Sequence, residues 1–275
     1  MLSVVTWNVW FDRFAFHIRR DMILETLWRL SPDVICLQEV LPSFLPPLCQ
    51  SPWCDQYDMS DDGSGSSLGS YGVLTLCKKK LHATFRWHPF PTRMGRQLLC
   101  AEMVLLGTPT LIGNVHLESL ANHPTREEQL KVCQRQLEPF DNAILCGDFN
   151  FCSYRNFTGT GPLENDCLQQ ILPDFVDVWP LIQPGEKGYT FDSEVNTMLM
   201  RPEQMRYDRV LFRTHSKRLQ PQTISILGNQ SATTETTNPR FATVDQIPTH
   251  MLDKVFPSDH FGLKTEFYLN KVCEK

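Results

Sequence analysis

Short apolar runs that end in small polar clusters recur along this chain, and helical spacing intervenes between them. Residues 2–7 place Leu2, Val4, Val5 and Trp7 in a run that reads as a buried strand. Residues 19–30 switch to helical spacing, with Ile23, Leu27 and Leu30 on one face. Pro32-Asp33 stops that helix ahead of a strand over 34–38. Asp61 to Ser70, rich in Asp, Gly and Ser, reads as a flexible loop. Strands are predicted over 71–77, 82–88, 98–105 and 109–116. Pro124-Thr125 opens a helix over 124–137 that carries Leu130, Val132, Cys133 and Leu137. A strand at 143–147, a helix at 163–172, an apolar segment at 174–179, a strand at 206–212 and a last strand from Gly262 to Phe267 follow. Residues 229–250, rich in Thr, Asn and Ser, read as a mobile insertion. Strands alternating with helices predict an α/β (α+β) protein, two sheets face to face with helices outside.

Composition narrows the class. With 41% hydrophobic and 21% charged residues, the chain has enough apolar side chains for a substantial core and is not disordered by composition. A formal net charge of -5 argues against a broadly basic surface that coats nucleic acid, and leaves room for a local basic groove. The ten cysteines show no CxxC or Cys/His zinc spacing. Cys36, Cys77, Cys100 and Cys146 lie in strand-like runs, where a thiol acts as a small apolar residue. That usage fits a reducing compartment. Trp7-Asn8 already stands at the amino terminus with no signal peptide before it, and no apolar run reaches membrane-spanning length. The expectation is a protein of the nucleus, the cytoplasm or both, with no membrane contact. Asn156-Phe157-Thr158 and Asn229-Gln230-Ser231 match the glycosylation pattern, and without secretion they are read as chance.

Four polar segments mark the strand ends. Thr6-Trp7-Asn8, Leu37-Gln38-Glu39 and Gly147-Asp148-Phe149-Asn150 each follow an apolar run, and Ser258-Asp259-His260 leads into one. Carboxylates, carboxamides and a His placed so can converge on one point, which metal-assisted phosphoester cleavage requires. The segments span residues 6 to 260, so no cut leaves a complete site, and residues 1–275 read as one domain. Glu39 suits a hard divalent cation, with Asn8 and Asp259 as further candidate ligands. Asn8 can instead bond the phosphate or simply form a turn. Asp148 can orient or deprotonate a water while Asn150 steadies it. His260 can donate to the charge growing on the phosphate oxygens, given a carboxylate that fixes its tautomer. Asp208 is the candidate, against the alternative of a surface ion pair with Arg206 or Arg209. In His116-Leu117-Glu118-Ser119, His116 and Ser119 can reach a phosphate while Glu118 points the other way.

The order and chemistry of the four segments resemble the endonuclease/exonuclease/phosphatase superfamily across nearly the whole chain. The resemblance implies a four-layer α/β/β/α sandwich of two mixed β-sheets flanked by helices, with Asp208 in the strand where the superfamily places an Asp for that role. Further segments are similar to the branch of 5′-tyrosyl-DNA phosphodiesterases. They are His88 to Met94, Gln97 to Cys100, His116 to Ser119, Phe175 to Trp179, Tyr189 to Asp192, Arg206 to Arg209 and Phe256 to His260. That likeness implies a Mg²⁺-dependent phosphodiesterase of DNA repair, with Mn²⁺ as a substitute. Its substrate is a DNA 5′ end carrying the tyrosine of a trapped topoisomerase II-type protein, with RNA–protein linkages as a second class. The chain is expected to act as a monomer. A phenolate leaving group, whose conjugate acid has a pKa of about 10, needs less general-acid help than an alkoxide.

Tyr71 and Phe191 are candidate platforms for a 5′-terminal base or the tyrosyl ring. Arg93 and Arg96 are candidates for the DNA backbone, and Lys78 to Lys80 read as a solvated hairpin turn. The branch carries a basic residue soon after its Gly-Asp-x-Asn. Cys152 stands there in this chain, and Arg155 is the candidate replacement. Other superfamily activities compete: an abasic-site endonuclease, a nuclease, or a lipid or inositol phosphate phosphodiesterase. A catalytically silent scaffold is the alternative outside enzymes.

Overall fold

The computed structural model describes residues 1–159, 161–233 and 244–270. In chain order the elements are β1 (Leu2–Asn8), α1 (Phe16–Leu30), β2 (Val34–Val40), α2 (Leu45–Gln50), β3 (Tyr57–Met59), β4 (Gly72–Lys78), β5 (Thr84–Pro89), β6 (Gln97–Leu105) and β7 (Thr108–His116). They continue with α3 (His123–Leu137), β8 (Asn142–Asp148), α4 (Cys167–Ile171), β9 (Val176–Asp177), α5 (Val178–Ile182), β10 (Phe191–Asp192), β11 (Gln204–Met205), β12 (Asp208–Thr214), β13 (Leu219–Leu227) and β14 (Gly262–Leu269).

One six-stranded sheet runs β13-β14-β1-β2-β4-β3 and the other β5-β6-β7-β8-β12-β9, while β10 and β11 form a small ribbon. Each large sheet holds one parallel pair, β1 with β2 and β7 with β8, among otherwise antiparallel neighbours. Parallel neighbours need a crossover, and α1 and α3 supply the two. Both pairs therefore release their carboxyl ends at the same edge of the molecule, which is where the polar segments lie.

Strand alternation explains the layers. Val4, Val34 and Cys36 of one sheet meet Ala101, Ile112, Ile144 and Cys146 of the other in a core between the sheets. The opposite faces bury Val5, Trp7, Ile35 and Leu37 against Ile23 and Leu27 of α1, and Leu111, Val115 and Leu145 against Leu130, Cys133 and Leu137 of α3. The result is the expected four-layer sandwich. Between the sheets, buried Gln38 donates from Nε2 to Asn114 Oδ1 (2.8 Å), and Asn114 Nδ2 donates to the Leu74 carbonyl (3.0 Å).

Some elements escaped the sequence pattern. β13 was not predicted: half its residues stay open to solvent and its register with β14 slips between Pro221 and Thr223. The predicted helix over 163–172 is a 3₁₀ turn, Glu164–Asp166, followed by the five-residue α4. The segment from Asp61 wraps around its own carboxylate, which accepts hydrogen bonds from Gly63 N, Gly65 N, Ser67 N and Ser67 Oγ. Residues 234–243 of the predicted 229–250 insertion lie outside the described residues. Its flanks are docked: Ala232 packs against Ile18, Leu252 and Val255, and Asp245 accepts from Ile18 N (2.9 Å).

Candidate active site

Asn8 ends β1 and its Nδ2 donates to Asp148 Oδ2 (3.0 Å), while Trp10 N donates to Asn8 Oδ1 (3.0 Å). Before it, Trp7 is fully buried and donates from Nε1 to the His260 carbonyl (3.0 Å). A Cβ on Gly228 or Gly262 would stand 2.2 or 2.7 Å from the Trp7 ring, so glycine at both positions lets the indole wedge under the His260 loop. Glu39 breaks the alternation of β2. The pairing of β2 with β4 slips between Leu37 and Val40, and Glu39 takes φ 60°, a left-handed conformation rare outside glycine. Such backbone costs about 1–3 kcal/mol and clusters at functional sites. Here it turns the carboxylate out at the strand end, where Phe11 N donates to Oε2 (3.0 Å).

Asp148 is the centre of the arrangement. Gly147 before it has φ +138°, and a Cβ there would lie 1.9 Å from the Val115 carbonyl oxygen. Asn150 N donates to Asp148 Oδ1 (2.8 Å), and Asn150 Nδ2 is committed to the Leu117 carbonyl (3.0 Å). Around Asp148 Oδ2 stand His116 Nε2 at 3.4 Å and His260 Nε2 at 3.9 Å. His116 Nε2 also lies 3.7 Å from Glu39 Oε1. Asp208 Oδ2 meets His260 Nδ1 at 2.8 Å, the orientation expected from the sequence. Arg206 pairs instead with Asp177 (2.5 Å), so the surface-pair alternative for Asp208 fails.

The two histidines differ in charge. Burial pushes His260 down, and the carboxylates of Asp208, Asp148 and Asp259 outweigh it, holding the ring well above its ordinary value as an imidazolium. His116 goes the other way. Burial first, then the charges of Arg96 and His260, hold it well below its ordinary value. Arg96 Nη1 sits 2.6 Å from His116 Nδ1. A guanidinium can only donate, so Nδ1 accepts and the neutral ring carries its proton on Nε2, facing the carboxylates. Burial raises Asp148 and Glu39, and pushes Asp259 up to about 6 although it keeps some exposure.

Asn8, Glu39, His116, Asp148, Asp208 and His260 thus converge from both sheets. Ser119 joins through Arg96 Nη2, which donates to its Oγ (3.1 Å). Phe191 sets its edge on the His260 ring (centroids 5.1 Å apart), and Tyr71 lines a cleft with Gly72, Arg96 and His116. Arg93 and Arg155 stay outside the cluster, exposed, with Arg155 Nε donating to Met205 Sδ (3.1 Å). Cys152 is buried beside Met205 and Tyr207, where its sulfur accepts from Arg206 N (3.4 Å). Glu118 does point away: it accepts from Thr92 Oγ1 (2.6 Å) and Arg93 N (2.9 Å). Two residues beside the site were missed: Phe11, whose N–H meets Glu39, and Arg19, buried under residues 9–14 with its guanidinium on the carbonyls of Val9 and Phe14. Neither gave a signal in the sequence, since one reads as a loop aromatic and the other as a helix-surface charge.

Asp148, Asp208 and His260 hold candidate metal-ligating atoms within 4.8 Å of one another. His260 spends Nδ1 on Asp208, and hard cations prefer oxygen, so the carboxylates are the better donors. Asp208 Oδ1, buried and without a hydrogen-bond partner among the described residues, and the crowded acids Glu39, Asp148 and Asp259 form an oxygen-rich set that fits a hard divalent ion.

Two mixed sheets that bring buried acids and histidines to one shared edge define a class, and the sequence profile of the Endonuclease/Exonuclease/phosphatase family matches residues 5–260. The chain belongs to that family. Among curated proteins it is similar to tyrosyl-DNA phosphodiesterase 2 of Homo sapiens, 28% identical over 279 residues, covering 96% of this chain and 67% of that protein. The enzyme of the same name from Rattus norvegicus is 30% identical over 95% of this chain and 65% of its own length. The chain spans about two thirds of the length of these relatives. In fold it resembles D. rerio TDP2 complexed with a single-strand DNA product, with TM-score 0.72 at 22% identity over 98% of this chain and 99% of that one. TDP2 from C. elegans superposes with TM-score 0.72 at 20% identity over 97% of this chain and 75% of that one.

Proposed function

We propose that this chain is a metal-dependent phosphodiesterase that hydrolyses the bond between a tyrosine and a DNA 5′-phosphate. The observation that carries the reading is the convergence on Asp148 of the His116 and His260 imidazoles together with Asn8 and, across His116, Glu39. The names of these curated relatives support the substrate class. Topoisomerase II-derived peptides are the proposed protein side and RNA–protein linkages a second substrate class. A monomer working in the nucleus, the cytoplasm or both completes the proposal.

Asp148 holds and deprotonates the attacking water, with Asn8 fixing its carboxylate. The Nε2 protons of His116 and His260 face the same space and donate to the oxygens of the phosphate as charge grows on them. Asp208 keeps His260 charged, and Arg96 keeps His116 neutral and correctly oriented. Glu39 and its acidic neighbours would hold Mg²⁺, or Mn²⁺ in its place, with Asn8 and Asp259 as adjoining donors. Bound there, such an ion would supply charge neutralisation at the phosphate and lower the pKa of a nearby water. The tyrosine leaves as a phenolate and needs little protonation near neutral pH. Release of free tyrosine from a 5′-phosphotyrosyl oligonucleotide, with Mg²⁺ and with chelator, tests the proposal. Turnover that survives the chelator would remove the metal from it.

A further inference from the structure

We infer that Phe11 extends Tyr71 into a two-ring platform that stacks an aromatic ring of the substrate beside Glu39; the inference rests on the phosphodiesterase reading above. The Phe11 ring lies nearly parallel to that of Tyr71, centroids 4.6 Å apart and planes 10° apart. Arg96, which meets His116 and Ser119, places its guanidinium carbon 5.3 Å from the Tyr71 centroid. The platform is therefore continuous with the end of the site that faces the phosphate. Phe11 N donates to Glu39 Oε2, so the ring is tied within one residue of a carboxylate at the reacting centre.

Phe11 nevertheless stays 44% exposed, on a loop held rigidly in place. Arg19, 1% exposed, reaches under residues 9–14 and donates to the carbonyls of Val9 (3.1 Å), Trp10 (3.3 Å), Asp12 (2.5 Å) and Phe14 (2.7 Å). Its guanidinium also lies 4.5 Å from the Trp10 ring centroid. A buried arginine spent on loop carbonyls fixes the Phe11 backbone before any ligand arrives, which lowers the ordering cost of binding. An exposed, immobilised phenyl face attracts flat rings. Both flanks of the scissile phosphate carry one, the 5′-terminal base and the tyrosyl phenol, and stacking is tolerant of which ring it receives.

The experiment is steady-state kinetics on the 5′-phosphotyrosyl oligonucleotide with Phe11→Ala, Phe11→Leu and Phe11→Tyr, each checked for its melting midpoint. Losing the stacking face is expected to raise KM by roughly 5- to 150-fold in the Ala and Leu variants, with kcat within about twofold and Phe11→Tyr close to wild type. Phe11→Leu keeps an apolar cover over Tyr71, so it carries the test if the Ala variant fails to fold. Two modified substrates identify the ring. One has an abasic sugar at its 5′ terminus. The other carries a ringless alkyl ester in place of tyrosine and is read as a competitive inhibitor, because an alkoxide leaves too poorly for turnover. The Phe11 penalty vanishes from the KM of the first if the base is stacked and from the Ki of the second if the phenol is. A penalty that persists on both, or an unchanged KM in both variants beside an active wild type, overturns the platform alone. A silent wild type would instead strike the phosphodiesterase reading.

Discussion

Asp148 and His260 show how environment assigns roles to residues of ordinary type. Asp148→Asn and Glu39→Gln keep shape and remove charge, so each should lower kcat about 10²- to 10⁴-fold while the melting midpoint holds. Either variant with most of its activity left would break the assignment. His260 gives a signed pH dependence. Its folded pKa is raised, because the neighbouring carboxylates outweigh burial. The stability of the His260–Asp208 pair is then complete below the unfolded value, about 6.5, and is lost as pH rises through the higher folded value. Activity that needs the imidazolium falls along the same limb. Asp208→Asn should move the basic limb of the kcat/KM profile to lower pH, and an unmoved limb would show that another group sets it. These acids, amides and His260 were legible as strand-end residues. Arg19 was not: nothing in the sequence distinguishes a guanidinium that binds loop carbonyls from one in solvent.

At the level of elements, the site depends on how strands end. β7 and β8 run parallel so closely at Gly147 that a methyl group would collide with the Val115 carbonyl. Gly147→Ala is expected to cost more than about 3 kcal/mol in chemical denaturation, well above the usual single substitution. A smaller loss would mean the strands part easily there. Trp7→Phe removes the bond to the His260 carbonyl and should cost about 1–3 kcal/mol with a fall in activity. Strong periodicity made the core strands and both long helices readable from apolar spacing. β13 was hidden because it is half-exposed and carries Pro221 at a register slip. The bulge at Glu39 was hidden for another reason. Alternation predicts which face a residue takes only while the register is unbroken.

The whole molecule is two sheets that each send one parallel pair toward a common edge, so candidate site groups 252 residues apart, Asn8 at the end of β1 and His260 just before β14, meet there. The sequence disclosed this architecture because its polar segments all fell at strand ends. It did not disclose the Gln38–Asn114 tie between the sheets, which joins residues 76 positions apart. A cation bound only by the folded site should raise the melting midpoint. Saturating Mg²⁺ near 100 times its Kd adds about 2.7 kcal/mol to the wild type, and Glu39→Gln should lose most of that gain. Equal gains in both would place the ion elsewhere. The substrate is decided by one comparison: tyrosine release from matched 5′- and 3′-phosphotyrosyl oligonucleotides in Mg²⁺, beside incision of an abasic duplex. Release from the 5′ substrate alone is the predicted result. Incision of the abasic duplex with no release from the 5′ end would contradict it.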